Sequence, residues 1–248
     1  MQKDKIFGIK PVIELLKAGR PVQYVLIVEQ RKSDREVREI MHLARGRGIE
    51  VRMATRDALN REAPNVLHQG VLAVVVAREY ATLDDILKIP DQKKQSPLFL
   101  VLDGVEDPRN LGAILRTAEV AGVHGVIIPE RRAAGLTETA AKTAAGAVEY
   151  VPVVKVVNIV NTLEDLKKYG VWIAGADAGG DLVYWDADFI RPTAIVLGGE
   201  GKGIRRLVRE HCDYLMSLPL MGRINSLNVS VAAGAFLYEV LRQRRGKR

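Results

Sequence analysis

Residues 98–116, L-F-L-V-L-D-G-V-E-D-P-R-N-L-G-A-I-L-R, decide the fold that this sequence predicts. Leu98–Leu102 is an uninterrupted apolar run, which is typical of a strand buried on both faces of a sheet. Pro108 fits the first turn of a helix, where its missing N–H is not needed, so a helix is predicted over Pro108–Ala121. The stretch is therefore a strand followed by a helix, the unit from which parallel sheets are built.

The same alternation continues toward the C-terminus. Further strands are predicted at Gly125–Ile128, Val151–Val156, Val171–Ala174, Ala194–Leu197 and Tyr214–Leu218. Further helices are predicted at Thr137–Ala145, Asn158–Tyr169, Gly203–His211 and Ser226–Arg244. Repeated alternation of strands and helices predicts an α/β domain over residues 97–248, with a parallel sheet that has helices on both faces.

The first 78 residues alternate over shorter segments. Helices are predicted at Ile9–Lys17, Ser33–Arg45 and Thr55–Arg61, and strands at Gln23–Val28, Glu50–Met53 and Val71–Ala77. Ser33 and Glu36 have the spacing of a capping box at the start of the second helix. A small α/β domain is expected over residues 1–78, and the polar segment 79–96, with a short helix from Thr82, is expected to link it to the second domain.

Positive charge is concentrated in the first part of the chain. The formal net charge is +7, and residues 1–80 contain 15 Lys and Arg against 10 Asp and Glu. Such an excess favours a polyanionic partner, with nucleic acid ahead of a membrane surface, although a solvated basic surface is the other interpretation. The basic tail Arg242–Arg248 is expected to be a frayed, solvated end.

Several classes of protein are excluded by composition. The apolar runs are far shorter than the ~18 residues of a membrane span, and no secretory signal pattern is present, so a cytoplasmic location is expected. The single cysteine, Cys212, cannot form an internal disulfide and is expected to be inert in the core. No metal site is expected, because the histidines lack metal-ligand spacing: His42, His68, His124 and His211.

Three loops after predicted strands carry residues suited to binding. In open parallel sheets ligands bind beyond the carboxyl ends of the strands, so these loops are expected at one edge of the sheet. The first contains Asn110, for which a turn or capping role is the other interpretation. Arg116 follows it roughly two turns along the predicted helix, and its other interpretation is a surface ion pair.

The other two loops are rich in glycine, asparagine and serine. Gly198–Gly203, G-G-E-G-K-G, allows close backbone approach but matches neither a Walker A loop nor a dinucleotide fingerprint. Glu200 is expected where a helix N-terminus favours an anion, and a simple helix-entry loop is the alternative. The last loop contains Ser226 and Asn228, which are also good helix caps. Together the loops predict a binding crevice but do not identify its ligand.

The same loops resemble the three signature motifs of the SpoU family of RNA ribose 2′-O-methyltransferases, in the SPOUT class. The matching segments are D-P-R-N-L-G-A-I-L-R-T-A (107–118), V-L-G-G-E-G-K-G-I (196–204) and S-L-N-V-S-V-A-A-G (226–234). F-G-I-K-P-V-I-E-L-L (7–16) and H-Q-G-V (68–71) look like the substrate-binding domain of the ribosomal-RNA members, a domain similar to ribosomal protein L30e. The likeness is strongest with enzymes that methylate a guanosine of 23S rRNA.

This resemblance implies a SPOUT-type domain with a deep trefoil knot, a homodimer, and S-adenosyl-L-methionine as the cofactor. The residues that it implies for substrate binding and catalysis are Asn110, Arg116, Glu200, Ser226 and Asn228. The positions whose backbone it implies for cofactor binding are Gly198, Leu218 and Leu227. A guanidinium stays protonated in proteins, so we expect Arg116 to hold a phosphate, while a phosphate oxygen or solvent accepts the proton of the ribose hydroxyl.

Other functions stay open at this point. Two are the same reaction on tRNA and the methylation of an rRNA adenosine that confers antibiotic resistance. A third is a catalytically silent RNA-binding or ribosome-assembly factor, against which the intact motif residues argue. The last is a nucleotide-dependent oxidoreductase. It is disfavoured because the glycines of residues 198–203 do not have the spacing of a dinucleotide-binding fingerprint.

Overall fold

The chain groups into two compact units in a computed structural model that describes residues 3–19, 21–62, 64, 66–76 and 80–246. The first unit comprises residues 1–79 together with residues 136–150. The second comprises residues 80–135 and 151–248. Within the described part of the chain, no helix has the length and apolarity to cross a membrane.

A four-stranded mixed sheet forms the centre of the first unit. Its strands are β1 (Lys3–Phe7), β2 (Val22–Val28), β3 (Glu50–Ala54) and β4 (Val71–Val76), in the order β1–β4–β2–β3. Its first three helices are α1 (Ile9–Lys17), α2 (Arg35–Gly46) and α3 (Arg56–Glu62). Strand β4 is antiparallel to both neighbours, whereas β2 and β3 are parallel. The helices and three of these strands were predicted, with ends that differ by a few residues.

Two details of the first unit differ from the prediction. Strand β1 was not predicted, because its sequence K-D-K-I-F is dominated by charges that are typical of exposed segments. The predicted capping box of Ser33 and Glu36 is not formed, so that prediction is wrong: helix α2 begins at Arg35 with Asp34 as its N-cap. The Asp34 carboxylate accepts a hydrogen bond from Arg31 Nε at 2.6 Å instead of capping the helix with its side chain.

A seven-stranded sheet forms the centre of the second unit, and its paired strands in the described residues are all parallel. In spatial order the strands are β7 (Val153–Val156), β6 (Gly125–Pro129), β5 (Leu98–Asp103), β10 (Thr193–Gly198), β8 (Trp172–Ala176), β11 (Tyr214–Ser217) and β9 (Leu182–Val183). The helices of this unit are α4 (Leu83–Lys93), α5 (Pro108–Val120), α7 (Ile159–Lys168), α8 (Arg206–Glu210) and α9 (Val229–Arg245).

Alternate residues of each strand are buried in different helical layers. Phe99 and Val101 lie in one core cluster with residues of α4, α7 and α8. Leu100 and Leu102 are also fully buried, and side chains alternate along a strand, so they lie on the opposite face. Helices α5 and α9 pack against each other. The predicted parallel sheet flanked by helices is confirmed, and the knot stays a prediction.

Two segments outside these sheets have defined places. Helix α4 begins after Thr82, which forms a capping box with Asp85, so the short helix predicted from Thr82 is present. Helix α6 (Glu138–Thr143) and the turn after it group with the first unit. There the Tyr150 hydroxyl donates to Glu14 Oε2 at 2.7 Å, and Gly146 (φ 97°) has no room for a Cβ beside Glu14.

Candidate active site

The three motif loops meet at the carboxyl edge of the second sheet. Strands β5 and β10 are neighbours there, with Gly198 paired to Asp103, and β11 lies two strands beyond β10, separated from it by β8. A cleft of about 610 Å³ opens at this edge. The predicted site residues that line it are Gly198, Glu200, Leu218, Ser226, Leu227 and Asn228.

A chain of hydrogen bonds joins the three loops. The side-chain amide of Asn110 donates to Glu200 Oε1. Asn228 Nδ2 donates to Asn110 Oδ1 at 3.0 Å, and Asn228 Oδ1 accepts from the backbone N–H of Ser230 at 2.9 Å. Asn110 therefore uses both ends of its amide, and residues separated by 90 and 118 positions in sequence form one polar cluster, which we call the Asn110 cluster.

Asn110 is not a capping residue. The N-cap of α5 is Asp107, whose Oδ1 accepts from the backbone N–H of Arg109 at 2.8 Å. Asn110 is the third residue of that helix, so its side chain is available for contacts outside the helix. Asn228, in contrast, is the N-cap of α9 and also donates to Asn110. The capping role and the position in the predicted site are therefore both observed for this residue.

Glu200 is exposed and lies outside any helix N-terminus of its own loop. The predicted helix from Gly203 begins only at Arg206, so the expected stabilisation of Glu200 by that helix is wrong. The Glu200 carboxylate instead accepts from Asn110, in the first turn of α5. Because helix N-termini favour anions, this position still suits a carboxylate.

Backbone packs against backbone in the glycine loop. The N–H of Gly203 donates to the carbonyl of Gly199 at 3.1 Å. A Cβ on Gly198 would lie 2.0 Å from the carbonyl carbon of Gly203, and a Cβ on Gly199 would lie 2.1 Å from the carbonyl oxygen of Gly104. No side chain fits at either position, so glycine is required there for close packing.

Two predicted site residues have no partner within the described part of the chain. Ser226 is exposed at the cleft, and its hydroxyl makes no hydrogen bond there. Arg116 is exposed on α5, and its guanidinium forms no ion pair there, so the surface-pair interpretation fails. At 100° per residue Arg116 lies on a different face of α5 from Asn110, and it is not part of the Asn110 cluster.

Sequence reasoning missed an ion pair between a buried carboxylate and a half-exposed arginine below the glycine loop. The side chain of Asp103 is fully buried, and its carboxylate accepts from Arg205 Nε at 2.6 Å and from the Arg205 backbone N–H at 2.8 Å. The carbonyl of Asp103 accepts from the N–H of Gly199 at 2.9 Å. Asp103 therefore holds both ends of the loop. The signal was available, because a carboxylate directly after a buried apolar strand requires a partner.

The buried titratable groups near the sheet have structural roles. His124 Nδ1 accepts from the backbone N–H of Leu98 at 3.1 Å, its Nε2 lies 3.0 Å from Gln95 Oε1, and burial lowers the His124 pKa to about 4. Burial raises the pKa of the Cys212 thiol to about 12, which leaves it protonated and unreactive. No group of three His, Cys, Asp or Glu side chains in the described ranges could hold a metal ion.

Comparison with family models matches both parts of the chain. Residues 97–238 match the model described as the SpoU rRNA methylase family. Residues 5–81 match the model described as RNA 2′-O ribose methyltransferase substrate binding. The first match contains the three motif loops that form the cleft.

Individual proteins are similar over nearly the whole chain. A TrmH family tRNA/rRNA methyltransferase of Bacillus subtilis is 45% identical over 98% of this chain and 97% of its own length. The SpoU methyltransferase AviRb of Streptomyces viridochromogenes, whose structure contains AdoMet, aligns with a TM-score of 0.82 and 29% identity over 98% of this chain and 91% of that chain. The A. aeolicus TrmH/SpoU tRNA modifying enzyme aligns with a TM-score of 0.57 and 31% identity over 66% of this chain and 81% of its own.

Proposed function

We propose that this chain, which belongs to the SpoU rRNA methylase family, transfers a methyl group from S-adenosyl-L-methionine to a ribose 2′-hydroxyl of RNA. The Asn110 cluster carries the proposal, because three loops distant in sequence place one connected set of polar side chains beside a cleft. A catalytically silent RNA-binding factor has no need of that arrangement.

The cleft fits the methyl donor in size and in lining. Its volume of about 610 Å³ lies in the range of small-molecule sites. Leu218 and Leu227 contribute apolar surface suited to a flat base, and the glycine loop presents backbone groups that can form hydrogen bonds with it. We assign the adenosine to the backbone at Gly198, Leu218 and Leu227. When bound, the sulfonium of this cofactor supplies the methyl group.

The Asn110 cluster orients the ribose. Asn110 is fixed on one side by Glu200 and on the other by Asn228, so its amide is positioned before the RNA arrives. Positioning of donor and acceptor supplies much of the rate in an in-line transfer. We assign the free hydroxyl of Ser226 to a hydrogen bond with the ligand. Arg116 holds a phosphate of the RNA, and a phosphate oxygen or solvent takes the proton of the 2′-hydroxyl.

A homodimer accounts for the exposed apolar residues near the third motif. Met221 is 97% exposed, Ile224 77%, Val231 57% and Tyr238 56%. Val231 and Tyr238 are seven residues apart in α9 and therefore lie on one face of that helix, and an exposed apolar face marks an interaction surface. We propose that a second copy of the chain covers this surface.

The proposed substrate is a guanosine of 23S rRNA in the cytoplasm. The match of residues 5–81 to a substrate-binding model, and the excess of positive charge in that region, support a separate RNA-binding domain. The tRNA alternative is supported by a relative whose name includes both RNA classes.

Transfer of labelled methyl groups tests this function. The protein is incubated with S-adenosyl-L-methionine carrying a labelled methyl group and, separately, with 23S rRNA or tRNA. Label should appear in 23S rRNA as a ribose methyl that protects one phosphodiester from alkaline cleavage. The Arg116→Lys variant should lose most activity, because lysine cannot make a bidentate contact. Absence of label in every RNA would refute the proposed function.

A further inference from the structure

A second cavity of the second unit, which we call the basic groove, has a volume of about 900 Å³. It is lined by residues 129–132 at the end of β6, residues 157–160 after β7, residues 205–208 at the start of α8, and His211 just after that helix. The loop that lines the cleft over residues 198–203 continues directly into Arg205, which lines the groove. The two cavities therefore lie on consecutive parts of one loop.

Four arginines give the basic groove its charge: Arg131, Arg132, Arg205 and Arg206. Arg131 and Arg132 are exposed and form no ion pair within the described residues. Arg206 has an 82% exposed side chain and a weak pair with Glu210, 3.2 Å away. Even when Glu130, the Arg206 partner Glu210 and the Arg205 partner Asp103 are all counted, the four arginines outnumber the carboxylates, so the groove favours an anionic ligand.

One of these cations is held in place. The guanidinium of Arg205 is bound to the buried Asp103 carboxylate, yet 52% of the Arg205 side chain is exposed. Because Asp103 also binds Gly199 through its carbonyl, the position of Arg205 is tied to the glycine loop of the cleft. A ligand that contacts Arg205 is therefore held at a fixed distance from the glycine loop that lines the cleft.

The groove also contains exposed apolar surface. Val157 is 84% exposed and Leu207 is 55% exposed, and both line the groove among the arginines. Guanidinium groups bind phosphates in bidentate geometry and stack on flat rings, which ammonium groups do not do. A lining of arginine and aliphatic side chains, without lysine among the described residues, suits phosphates and unstacked bases together.

We propose that the basic groove binds the single-stranded RNA adjacent to the nucleotide that is methylated. The arginines contact its phosphates, and Val157 and Leu207 contact a flanking base. This inference rests on the proposed function for its ligand class, but it assigns a binding surface outside the cleft and outside the first unit.

A triple variant tests the groove without disturbing Asp103. Arg131, Arg132 and Arg206 are replaced by glutamine in the full chain, and Lys88, Lys93 and Lys94 are replaced by glutamine in a control of equal charge change. Affinity for a short fluorescent single-stranded RNA is measured from low to high salt. The groove variant should bind at least about 10-fold more weakly, and its salt slope should fall by about 2, since each lost phosphate contact on a single strand removes ~0.7. The lysine control should match wild type.

Two further measurements separate the outcomes. Binding of S-adenosyl-L-methionine should be equal in wild type and groove variant, which shows that the second unit is folded. Val157→Ser should weaken binding of single-stranded RNA and leave double-stranded RNA unaffected. Equal RNA affinity and salt slope in wild type and groove variant overturn the inference. If the wild-type protein binds RNA through the groove but transfers no methyl group, the proposed function is overturned and the inference about the groove stands.

Discussion

The two sheets of this chain differ in where their polar residues meet. In the second unit the strands are parallel, so β5 and β10 end at one edge, and Asn110 reaches Glu200 and Asn228 there. In the first unit β4 is antiparallel to both neighbours, which divides the loops between two edges. Some of its polar residues bind the unit's own backbone: Gln69 Oε1 accepts from the N–H of Ile9 at 3.1 Å.

This difference indicates that strand direction influences which polar side chains are brought together at one edge of a sheet, where a ligand can contact them. A parallel sheet gathers loops from distant parts of the sequence, and some of their side chains remain exposed. In the first unit, Gln69 and His68 instead accept hydrogen bonds from the backbone N–H groups of Ile9 and Gly70. Substitutions at the Asn110 cluster should therefore lower activity, whereas substitutions at first-unit contacts should lower stability.

The largest effect is expected at Asp103. This polar residue of the second unit is buried and bound within the unit, and is not available to a ligand. Arg205→Ala leaves the buried carboxylate without its half-exposed cation and with only the backbone N–H of residue 205 as a donor, which should lower the free energy of unfolding by about 3 kcal/mol. The neighbouring Arg206→Ala removes an exposed pair and should lower it by less than about 1 kcal/mol. Urea unfolding of both variants measures this, and equal losses would show that Asp103 is not a structural anchor.

A pH titration compares the buried histidines of the two units. Each accepts a backbone N–H at Nδ1, His68 from Gly70 at 2.9 Å and His124 from Leu98 at 3.1 Å, and burial lowers both pKa values. For His124 the pKa falls from 6.5 to about 4, so the folded state resists a proton that the unfolded state accepts. Stability should be complete above pH 6.5 and fall by about 3 kcal/mol as the pH drops to 4.

Urea unfolding between pH 8 and pH 4 measures this loss. His124→Gln should reduce the pH dependence by about this amount, because glutamine does not titrate. His42→Gln, at an exposed position, serves as the control. A wild-type unfolding free energy that is constant over this range would contradict the prediction.

Asn110→Ala tests the functional side of the comparison. It removes both hydrogen bonds that join the loops, so kcat should fall by about 100-fold, a loss comparable to that of one preorganised donor in other enzymes. Asp107→Ala in the same helix removes the N-cap, and it should lower stability by ~1 kcal/mol with little change in kcat. Methyl transfer and urea unfolding of both variants measure this, and the opposite pattern would refute the assignment of Asn110.

The smallest effect is expected in the first unit. Gln69→Ala leaves the N–H of Ile9 at the start of α1 without its partner, which should lower stability by about 1 kcal/mol. Methyl transfer at saturating RNA should stay at the wild-type rate. A fall in kcat with unchanged stability would show that the first unit also supplies residues to catalysis.

The sequence predicted most elements because their signals are local. The apolar run before Asp103, Pro108 at a helix start, and the caps Thr82 and Asn158 each depend on neighbours in sequence. The two-residue strand β9 (Leu182–Val183) was missed, because it is too short to show a period. The three loops were placed at one edge by the rule for parallel sheets, but rules of this kind do not give side-chain pairs.

Long-range contacts are what the sequence did not reveal. The expected frayed end is wrong for Arg244, whose guanidinium donates to the carbonyls of Phe189 at 2.9 Å, Ser96 at 2.6 Å and Pro97 at 2.8 Å. Burial lowers the pKa of Arg244 to about 10. Basic residues at the end of a chain suggest solvation, and only the folded position of residues 96–97 and 189 reveals these acceptors. Residues 247–248 of the predicted tail lie outside the described residues.

The return of residues 136–150 to the first unit affects how the protein is made. Domains usually complete themselves one after another as the chain leaves the ribosome. Here the first unit lacks the segment 136–150, which contains α6, until residue 150 has emerged, and by then strands β5 and β6 have been synthesised. Both units are therefore unfinished at the same stage of translation. A nascent chain stalled before residue 136 would lack an α6 to pack against β1, and would be a good substrate for chaperones.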